Sequence, residues 1–506
     1  MTQNYKRIVK NTLFLYFRMI IIMAVSLYTT RIVLSTLGIT DFGIYSVVAS
    51  FVLMFSFLES ALTSATQRFI TFELGKVDKQ ELQKVFSISM IIHIGLALVV
   101  GFLAELIGLW FLNNKLNIPP DRIDVAFWVF QFAVLSTMIN ITKVPYNAMV
   151  IAHEKMSFFA YMSIMEAILK LLAVYLLVIV DFDKLVAYAC FTSFIIFMVL
   201  GFYYLYNKKH YKVETTFNVM WDKKLVNEML SFSGWSLFGG VAWMLMEHGI
   251  NIMLNIFFGP AVNAARGISM QVNTAMASLI NSFRMAVDPQ IVKMHSGENS
   301  EGMKHLSLLS ARYTFYLALI LILPLYLEID TILNLWLVEV PKWTVEFCKL
   351  ILIFSLIQTF DMSFGTIFKA LGKIKENQIL GGLTYLLVLP LGYIIYKVYD
   401  LEPTAILYIQ IMAVIVVAFV VKVYLLNKLT DISYHEYWFS FLFPVLKVAG
   451  IVIMLSYLIV SLDINPISVI IFSILSVLLS IYYFDMSISM RNKIVEFIIN
   501  RIKNQK

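Results

Sequence analysis

Charged and amide side chains form a line along one predicted helix in the second half of the chain. Arg266 and Arg284 are eighteen residues apart, or five whole helical turns, so they are predicted to share a side. Asn273, Asn281 and Asp288 fall within about 60° of that line. At 1.5 Å per residue the arginines span about 27 Å, close to the thickness of a bilayer core. Such a line can bind phosphate groups, or it can be a structural polar seam between packed helices.

Polar residues at membrane depth also occur on the first, second and seventh predicted helices. Glu247 and Asn251 are four residues apart and share a face, and Glu59 lies among hydroxyl residues of the second helix. Arg18 and Arg31 belong to the first helix but fall on different faces. Each arginine can serve a wet cavity or reach lipid head groups from near its helix end. These five residues are predicted to line a substrate pathway together with the eighth helix.

Three carboxylates are candidates for coupling transport to an ion gradient. Glu59, Glu247 and Asp361 lie in predicted spans, where acidic side chains are rare and typical of proton relays and ion pathways. The sequence leaves open whether the ion is a proton or Na⁺, and it predicts no other cofactor.

Other intramembrane charges have an ordinary structural interpretation. Glu166 and Lys170 are four residues apart on one predicted helix and should pair with each other. Glu105 and Arg312 also lie in predicted spans, and the sequence does not identify the residues that they contact.

The elements that must position these residues are membrane-spanning helices. The 506 residues are 60% hydrophobic and 14% charged, whereas soluble domains carry about 25% charged residues. The mean hydropathy is +0.82. Fourteen stretches are long and apolar enough for spanning helices of about 20 residues, of which the eighth, Ala261–Val287, is the most polar. The sequence therefore predicts an all-α polytopic membrane protein.

The distribution of basic residues supports this count and sets an orientation. With the N-terminus placed in the cytoplasm, 24 of the 39 lysines and arginines fall in inside loops, six fall outside and nine lie within spans. Both termini are therefore predicted to be cytoplasmic. The net charge of +7 is mainly this orientation signal, so nucleic-acid binding is not predicted.

Two glycine-containing loops suggest an internal duplication. Gly38 and Gly43 join the first two spans, and Gly259 and Gly267 join the seventh and eighth. Six spans separate the loops, which predicts two parallel six-helix lobes around a central cavity, spans 1–6 and 7–12. The predicted domains are an N-terminal lobe (1–206), a cytoplasmic amphipathic linker (207–228), a C-terminal lobe (229–430), helices 13 and 14 (431–484) and an amphipathic tail (485–506). The linker and tail are expected to form interfacial helices.

Several enzyme classes lack support in the sequence. No GxxxxGK[ST], GxSxG, HExxH or CxxC pattern occurs, so a P-loop, a nucleophile elbow or a zinc site is not predicted. The predicted outer loops are short and offer no domain that could hold a catalytic site. The chain is therefore expected not to be an enzyme and to hold no metal.

Several segments resemble the Wzx-type polysaccharide transporters, which are lipid-linked oligosaccharide flippases of the multidrug/oligosaccharidyl-lipid/polysaccharide exporter superfamily. The resemblance covers nearly the whole chain and depends on the order of loose motifs. These are RIVLSTLGITDFGIYSVV (Arg31–Val48), ATQRFITFELGK, VPYNAMVIAHEKMSFFAYMSIMEAILKLL (Val144–Leu172), NAARGISMQVN (Asn263–Asn273), AVDPQIVK (Ala286–Lys293) and IFKALGK.

The resemblance implies a V-shaped pair of six-helix lobes, alternating access and a cationic lumen. It implies that the chain moves an undecaprenyl-pyrophosphate-linked repeat unit across a bacterial inner membrane for O-antigen, capsule or exopolysaccharide assembly. The implied partners are the lipid-linked oligosaccharide, membrane lipids and other membrane proteins of polysaccharide assembly. One departure concerns Arg18 and Arg31, because their different faces do not suit a joint grip on one pyrophosphate.

Two other functions remain open from the sequence. A cation-coupled multidrug exporter of the same superfamily would favour an acidic, aromatic pocket over an arginine-lined one. A membrane enzyme such as a glycan polymerase is opposed by the short outer loops.

Overall fold

The computed structural model describes residues 2–54, 56–76, 78–153, 155–296, 300–371, 373–430, 432–461, 464–489 and 491–492. Over these residues the chain is helical between loops and turns, without a β-strand. A helix satisfies its own backbone hydrogen bonds, as lipid requires. The helices are α1 (Thr2–Leu53), α2 (Ser56–Lys76), α3 (Lys79–Asn114), α4 (Pro120–Ala152), α5 (Met156–Ile179), α6 (Lys184–His210), α7 (Lys223–Phe258), α8 (Pro260–Ser296), α9 (Ser300–Leu327), α10 (Ile329–Trp336), α11 (Thr344–Ala370), α12 (Lys375–Val398), α13 (Ala405–Leu429), α14 (Tyr434–Ser461) and α15 (Pro466–Phe484).

The all-α membrane fold is confirmed, and fourteen is an approximate number of spans. Within the described ranges, twelve helices are long and apolar enough to cross a membrane. The second predicted span is divided between the end of α1 and the start of α2, which are separated near Met54. The eighth predicted span is α8, whose charged and amide side chains keep it below the hydropathy of the other spans.

The two predicted glycine loops have almost the same backbone conformation. Gly38 joins two helical segments of α1 at φ 81° and ψ 171°, and Gly259 joins α7 to α8 at φ 81° and ψ −178°. This region is open almost only to glycine, because a Cβ atom would clash with the backbone. The loops also touch each other, since a Cβ at residue 43 would lie 1.8 Å from the Pro260 carbonyl oxygen. The matching conformation is what a duplicated helical hairpin predicts.

The chain divides into two compact units. Unit 1 comprises Met1–Gln271, Trp336–Phe347 and Gln378–Ile409. Within it α4 packs against α1, α2, α3 and α6, and α7 packs against α1 and α2. Helix packing of this kind in a bilayer depends on van der Waals contact and hydrogen bonds more than on the hydrophobic effect.

Unit 2 comprises Val272–Leu335, Cys348–Asn377 and Gln410–Lys506. Its helices α9, α14 and α15 pack together. Its core is a group of aromatic rings, with Phe315 stacked on Phe360 at 5.0 Å and Phe441 edge-on to Phe364 at 5.1 Å. Rings in these geometries are stabilised beyond their burial alone.

The prediction that the 207–228 linker forms an interfacial helix is wrong. Helix α6 continues to His210 and α7 begins at Lys223, and residues 211–222 between them form turns and irregular backbone. Their backbone is instead held by α3, because Gln83 donates to the Thr216 carbonyl at 2.9 Å and the Asn218 amide donates to Ser87 Oγ at 3.2 Å. The lobe boundaries remain predictions. The 485–506 tail lies outside the described residues from 493 onward.

Candidate functional site

A buried network of amide side chains joins the two glycine loops in unit 1. Asn251 Nδ2 donates to Ser50 Oγ at 2.8 Å and to the Ser46 carbonyl at 3.0 Å. Asn263 Nδ2 donates to Asn251 Oδ1 at 2.7 Å, and Asn255 Nδ2 donates to Asn263 Oδ1 at 2.8 Å. The three asparagines are buried. These hydrogen bonds join α1, α7 and α8.

Arg266 lies one turn beyond Asn263 on α8 and is also buried, with 1% of its surface exposed. It interacts electrostatically with Glu247 on α7, and the Trp243 indole donates a hydrogen bond to the same carboxylate. A buried arginine needs such compensation, because an isolated charge in a low-dielectric interior is very costly. The structure thus places two predicted pathway residues, Glu247 and Arg266, within electrostatic range of each other inside unit 1.

Unit 2 holds a second charge network around Arg284, farther along α8. Arg284 Nη2 lies 3.2 Å from Asp288 Oδ2 and donates to Thr366 Oγ1 at 3.2 Å. It also interacts electrostatically with Asp361 on α11. Asp361 Oδ1 lies 2.7 Å from the ammonium nitrogen of Lys422 on α13. Two cations and two carboxylates therefore alternate across three helices.

Lys422 is the functional candidate that sequence reasoning missed. Its side chain is 3% exposed, and its Nζ also donates to Asn377 Oδ1 at 2.5 Å. The signal was present, because a lysine in the middle of an apolar α13 is as unexpected as an arginine in α8. What the sequence could not show is that Asp361 is its partner, 61 residues earlier in the chain.

The remaining predicted pathway residues have varied surroundings. Asn273 is buried in unit 2 and accepts a hydrogen bond from Ser355 Oγ at 2.5 Å. Asn281 on α8 and Arg31 on α1 are half-buried. The side chains of Arg18 and Glu59 lie outside the described residues. The predicted pair of Glu166 and Lys170 is confirmed at 2.7 Å.

The charged residues do not form an evident metal site. Over the described part of the chain, no three His, Cys, Asp or Glu side chains are grouped so that they could hold a metal ion. The prediction that Glu59, Glu247 and Asp361 couple transport to an ion stays a prediction.

A further ion-pair network in unit 1 connects α1, α4 and the start of α6. The Arg122 guanidinium is bidentate to Asp41, with Nε donating to Oδ1 at 2.9 Å, and its Nη1 donates to Asp183 Oδ2 at 2.6 Å. Burial would raise the pKa of Asp183, but hydrogen bonds from Arg122 and from the Val186 amide lower it overall. Asp183 also caps α6 by accepting from the first amides of that helix. This network joins α1, α4 and α6 in unit 1.

The sequence matches a protein-family model described as "Polysaccharide biosynthesis protein" over residues 8–295. The chain belongs to this family. The matched residues include Glu247, Arg266, Arg284 and Asp288 but not Asp361 or Lys422. The resemblance inferred from the sequence motifs is thereby confirmed at the level of family.

Solved structures show the same fold at low sequence identity. An inward-facing multidrug resistance MATE family transporter of the MOP superfamily is 14% identical, with a TM-score of 0.66 over 79% of this chain and 93% of that one. A MOP superfamily transporter from Pyrococcus furiosus Vc1 (DSM3638) is 14% identical, with a TM-score of 0.61 over 82% and 94%. No curated protein matches the chain. The chain is therefore a multi-pass membrane protein with the fold of MOP superfamily transporters.

Proposed function

We propose that this transporter is a flippase for undecaprenyl-pyrophosphate-linked oligosaccharide repeat units. It moves them across the bacterial inner membrane by alternating access, for O-antigen, capsule or exopolysaccharide assembly, and both of its termini are cytoplasmic. The family assignment supports the link to polysaccharide, and the fold supports transport. The observation that carries the choice of an anionic substrate is the pair of intramembrane cations in unit 2, Arg284 and Lys422.

The chemistry of these cations suits a pyrophosphate. The Arg284 guanidinium presents a planar set of donors that matches phosphate oxygens, and the Lys422 ammonium adds a compact positive charge. In a medium of low dielectric constant these charges attract an anion much more strongly than they would in water. An acidic, aromatic pocket for organic cations would present the opposite charge.

In the structure the carboxylate of Asp288 pairs with Arg284 and that of Asp361 pairs with Lys422. A pyrophosphate that reaches Arg284 must compete with Asp288, whose side chain is 33% exposed and therefore open to displacement. Exchange of a carboxylate for a phosphate keeps the cation compensated throughout, which avoids the cost of an unpaired buried charge. The displaced carboxylates are then available for a proton or Na⁺, which is how we propose that transport is coupled.

Complementation of a deletion strain tests this function. Cells that carry Arg284→Gln or Lys422→Gln should make at least tenfold less surface glycan than wild-type cells, and should accumulate lipid-linked repeat units on the cytoplasmic side. Lys428→Gln is the matched control, because this exposed lysine lies on the same helix α13 and has no place in the network. Immunoblots measure the amount of each variant in the membrane, and surface glycan is compared per amount of transporter.

Two outcomes would contradict the proposal. Normal surface glycan in both the Arg284 and the Lys422 variants would show that these cations do not hold the substrate. Unchanged glycan in the deletion strain itself, combined with increased sensitivity to cationic drugs, would instead identify the chain as a multidrug exporter.

A further inference from the structure

Glu105 occupies an unusual position on α3 that the proposed function does not use. It lies nine residues before the end of α3 at Asn114, or about 14 Å along the axis of a helix that is long and apolar enough to cross a membrane. Its hydrogen-bond partner, Gln131, lies eleven residues into α4 and so at a similar depth, about 16 Å from the start of that helix. A carboxylate at this depth is costly and is typical of a functional site.

The backbone around Glu105 departs from the regular α-helix. Residues Ala104–Gly108 form a π-helical turn, a rare feature that is frequent at functional sites. Gly108, at the end of this turn, lets α3 approach α4 closely, because a Cβ there would lie 2.3 Å from the Phe130 ring. The local geometry therefore brings Glu105 to the line of contact between α3 and α4, next to Gln131.

Glu105 and Gln131 lie in an open groove of about 530 Å³ between α3 and α4. Aromatic and sulfur-containing side chains form its other walls, among them Phe102, Trp128 and Met138. Phe102 is 67% exposed and Trp128 is 54% exposed, so in the membrane the groove opens toward the lipid chains. Gln131 Nε2 donates to Glu105 Oε2 at 3.1 Å, and this amide brings no positive charge to the carboxylate.

We propose that this groove binds a lipophilic organic cation that enters from the bilayer. The volume is that of a site for a drug-sized molecule. Glu105 and Trp128 line the same groove, and a carboxylate together with an indole ring is the chemistry that recognises an ammonium or phosphonium group, through charge attraction and a cation–π contact. The exposed apolar walls of the groove face lipid in the membrane, so its occupant must be lipid-soluble, and a delocalised or shielded cation meets both requirements.

Binding of tetraphenylphosphonium to the full-length protein in nanodiscs tests this inference. The wild-type protein should bind the radiolabelled cation saturably and should not bind tetraphenylborate, which has nearly the same shape and the opposite charge. Glu105→Gln should weaken binding at least tenfold, and Trp128→Leu should weaken it about threefold or more, in line with a cation–π contact. Glu105→Asp, which keeps the charge, should retain most of the affinity.

Controls separate this site from others on the chain. Glu402→Gln changes an exposed carboxylate in the loop between α12 and α13 and should bind like wild type. Each variant should elute as a single species with an unchanged melting temperature. Equal affinity in wild type and Glu105→Gln, or no saturable binding to wild type, would overturn the inference. Equal binding of tetraphenylborate would also overturn it, because the groove would then be a general apolar surface. Surface glycan of the Glu105→Gln strain reports separately on the proposed flippase function.

Discussion

Lys422 and Asp361 form a 2.7 Å ion pair between α13 and α11, and the lysine is almost completely buried. Removal of one partner leaves the other charge uncompensated in a medium of low dielectric constant. We therefore expect Lys422→Met to destabilise the protein by about 3–5 kcal/mol. The double variant Lys422→Met/Asp361→Leu should recover much of this loss, because it leaves no unpaired charge. Thermal unfolding of the four proteins in detergent gives the double-mutant cycle. Additive losses would show that the two groups are not coupled.

The amide network in unit 1 should also be sensitive to truncation. Asn251→Ala removes the acceptor for Asn263 and the donor to Ser50, so buried polar groups lose their partners. The expected loss is about 1–3 kcal/mol, measured by the same unfolding assay. Asn334→Ala is the control, because Asn334 makes a comparable hydrogen bond at an exposed site, to the Asp330 carbonyl at 2.9 Å. A loss no greater than that of the control would contradict the structural role of the network.

The backbone conformation of Gly259 predicts that a Cβ atom at this position destabilises the protein. Gly259→Ala places a Cβ on a residue at φ 81° and ψ −178°, which should cost about 1–3 kcal/mol. Gly201→Ala is the matched control, since a Cβ there meets nothing within 4 Å. It lies inside α6 and should be neutral or stabilising by up to about 1 kcal/mol. Equal effects of the two substitutions would mean that the conformation of Gly259 is not required.

The contact between the linker and α4 should weaken in mild acid. The His153 ring at the end of α4 stacks on Tyr211 at 3.9 Å, and its Nε2 lies 3.1 Å from Glu214 Oε2. Burial lowers the pKa of His153 more than the neighbouring Glu214 raises it. The unfolded state therefore takes up a proton more readily than the folded state does. This contribution to stability is complete above the unfolded pKa of about 6.5 and is lost as the pH falls below it, toward the folded pKa.

Hydrogen-exchange protection of residues 211–222, corrected for intrinsic rates, measures this effect. Protection should fall between about pH 7.5 and pH 5.5, the interval that contains the unfolded pKa of histidine. His153→Gln should remove the pH dependence, whereas His210→Gln, at an exposed position nearby, should preserve it. Constant protection of the wild-type linker over this interval would contradict the assignment.

Hydropathy was enough to predict most of the spanning helices in the described part of the chain, and the division of the second predicted span near Met54 is the exception. Spanning helices form their backbone hydrogen bonds locally and need about 20 apolar residues, so each one can be recognised without knowledge of its neighbours. Helical periodicity placed Arg266 and Arg284 on one helix, and they do lie on the single helix α8. The glycine spacing indicated two similar loops, because a positive φ with an extended ψ selects glycine from local geometry alone.

The composition of the linker predicted the wrong local structure. Its basic and apolar residues are typical of an interfacial helix, yet contacts with Gln83 and Ser87 on α3 hold it in an irregular conformation. Those contacts join residues about 130 positions apart, and no local pattern encodes them.

The partners of the intramembrane charges were likewise decided only by the tertiary structure. Arg266 interacts with Glu247 in unit 1, whereas Arg284 joins Asp288, Asp361 and Thr366 in unit 2. The sequence placed these side chains in long helices, because local hydropathy and periodicity identify the helical segments. Which charge compensates which depends on how the helices pack, and hence on atoms far apart in the chain.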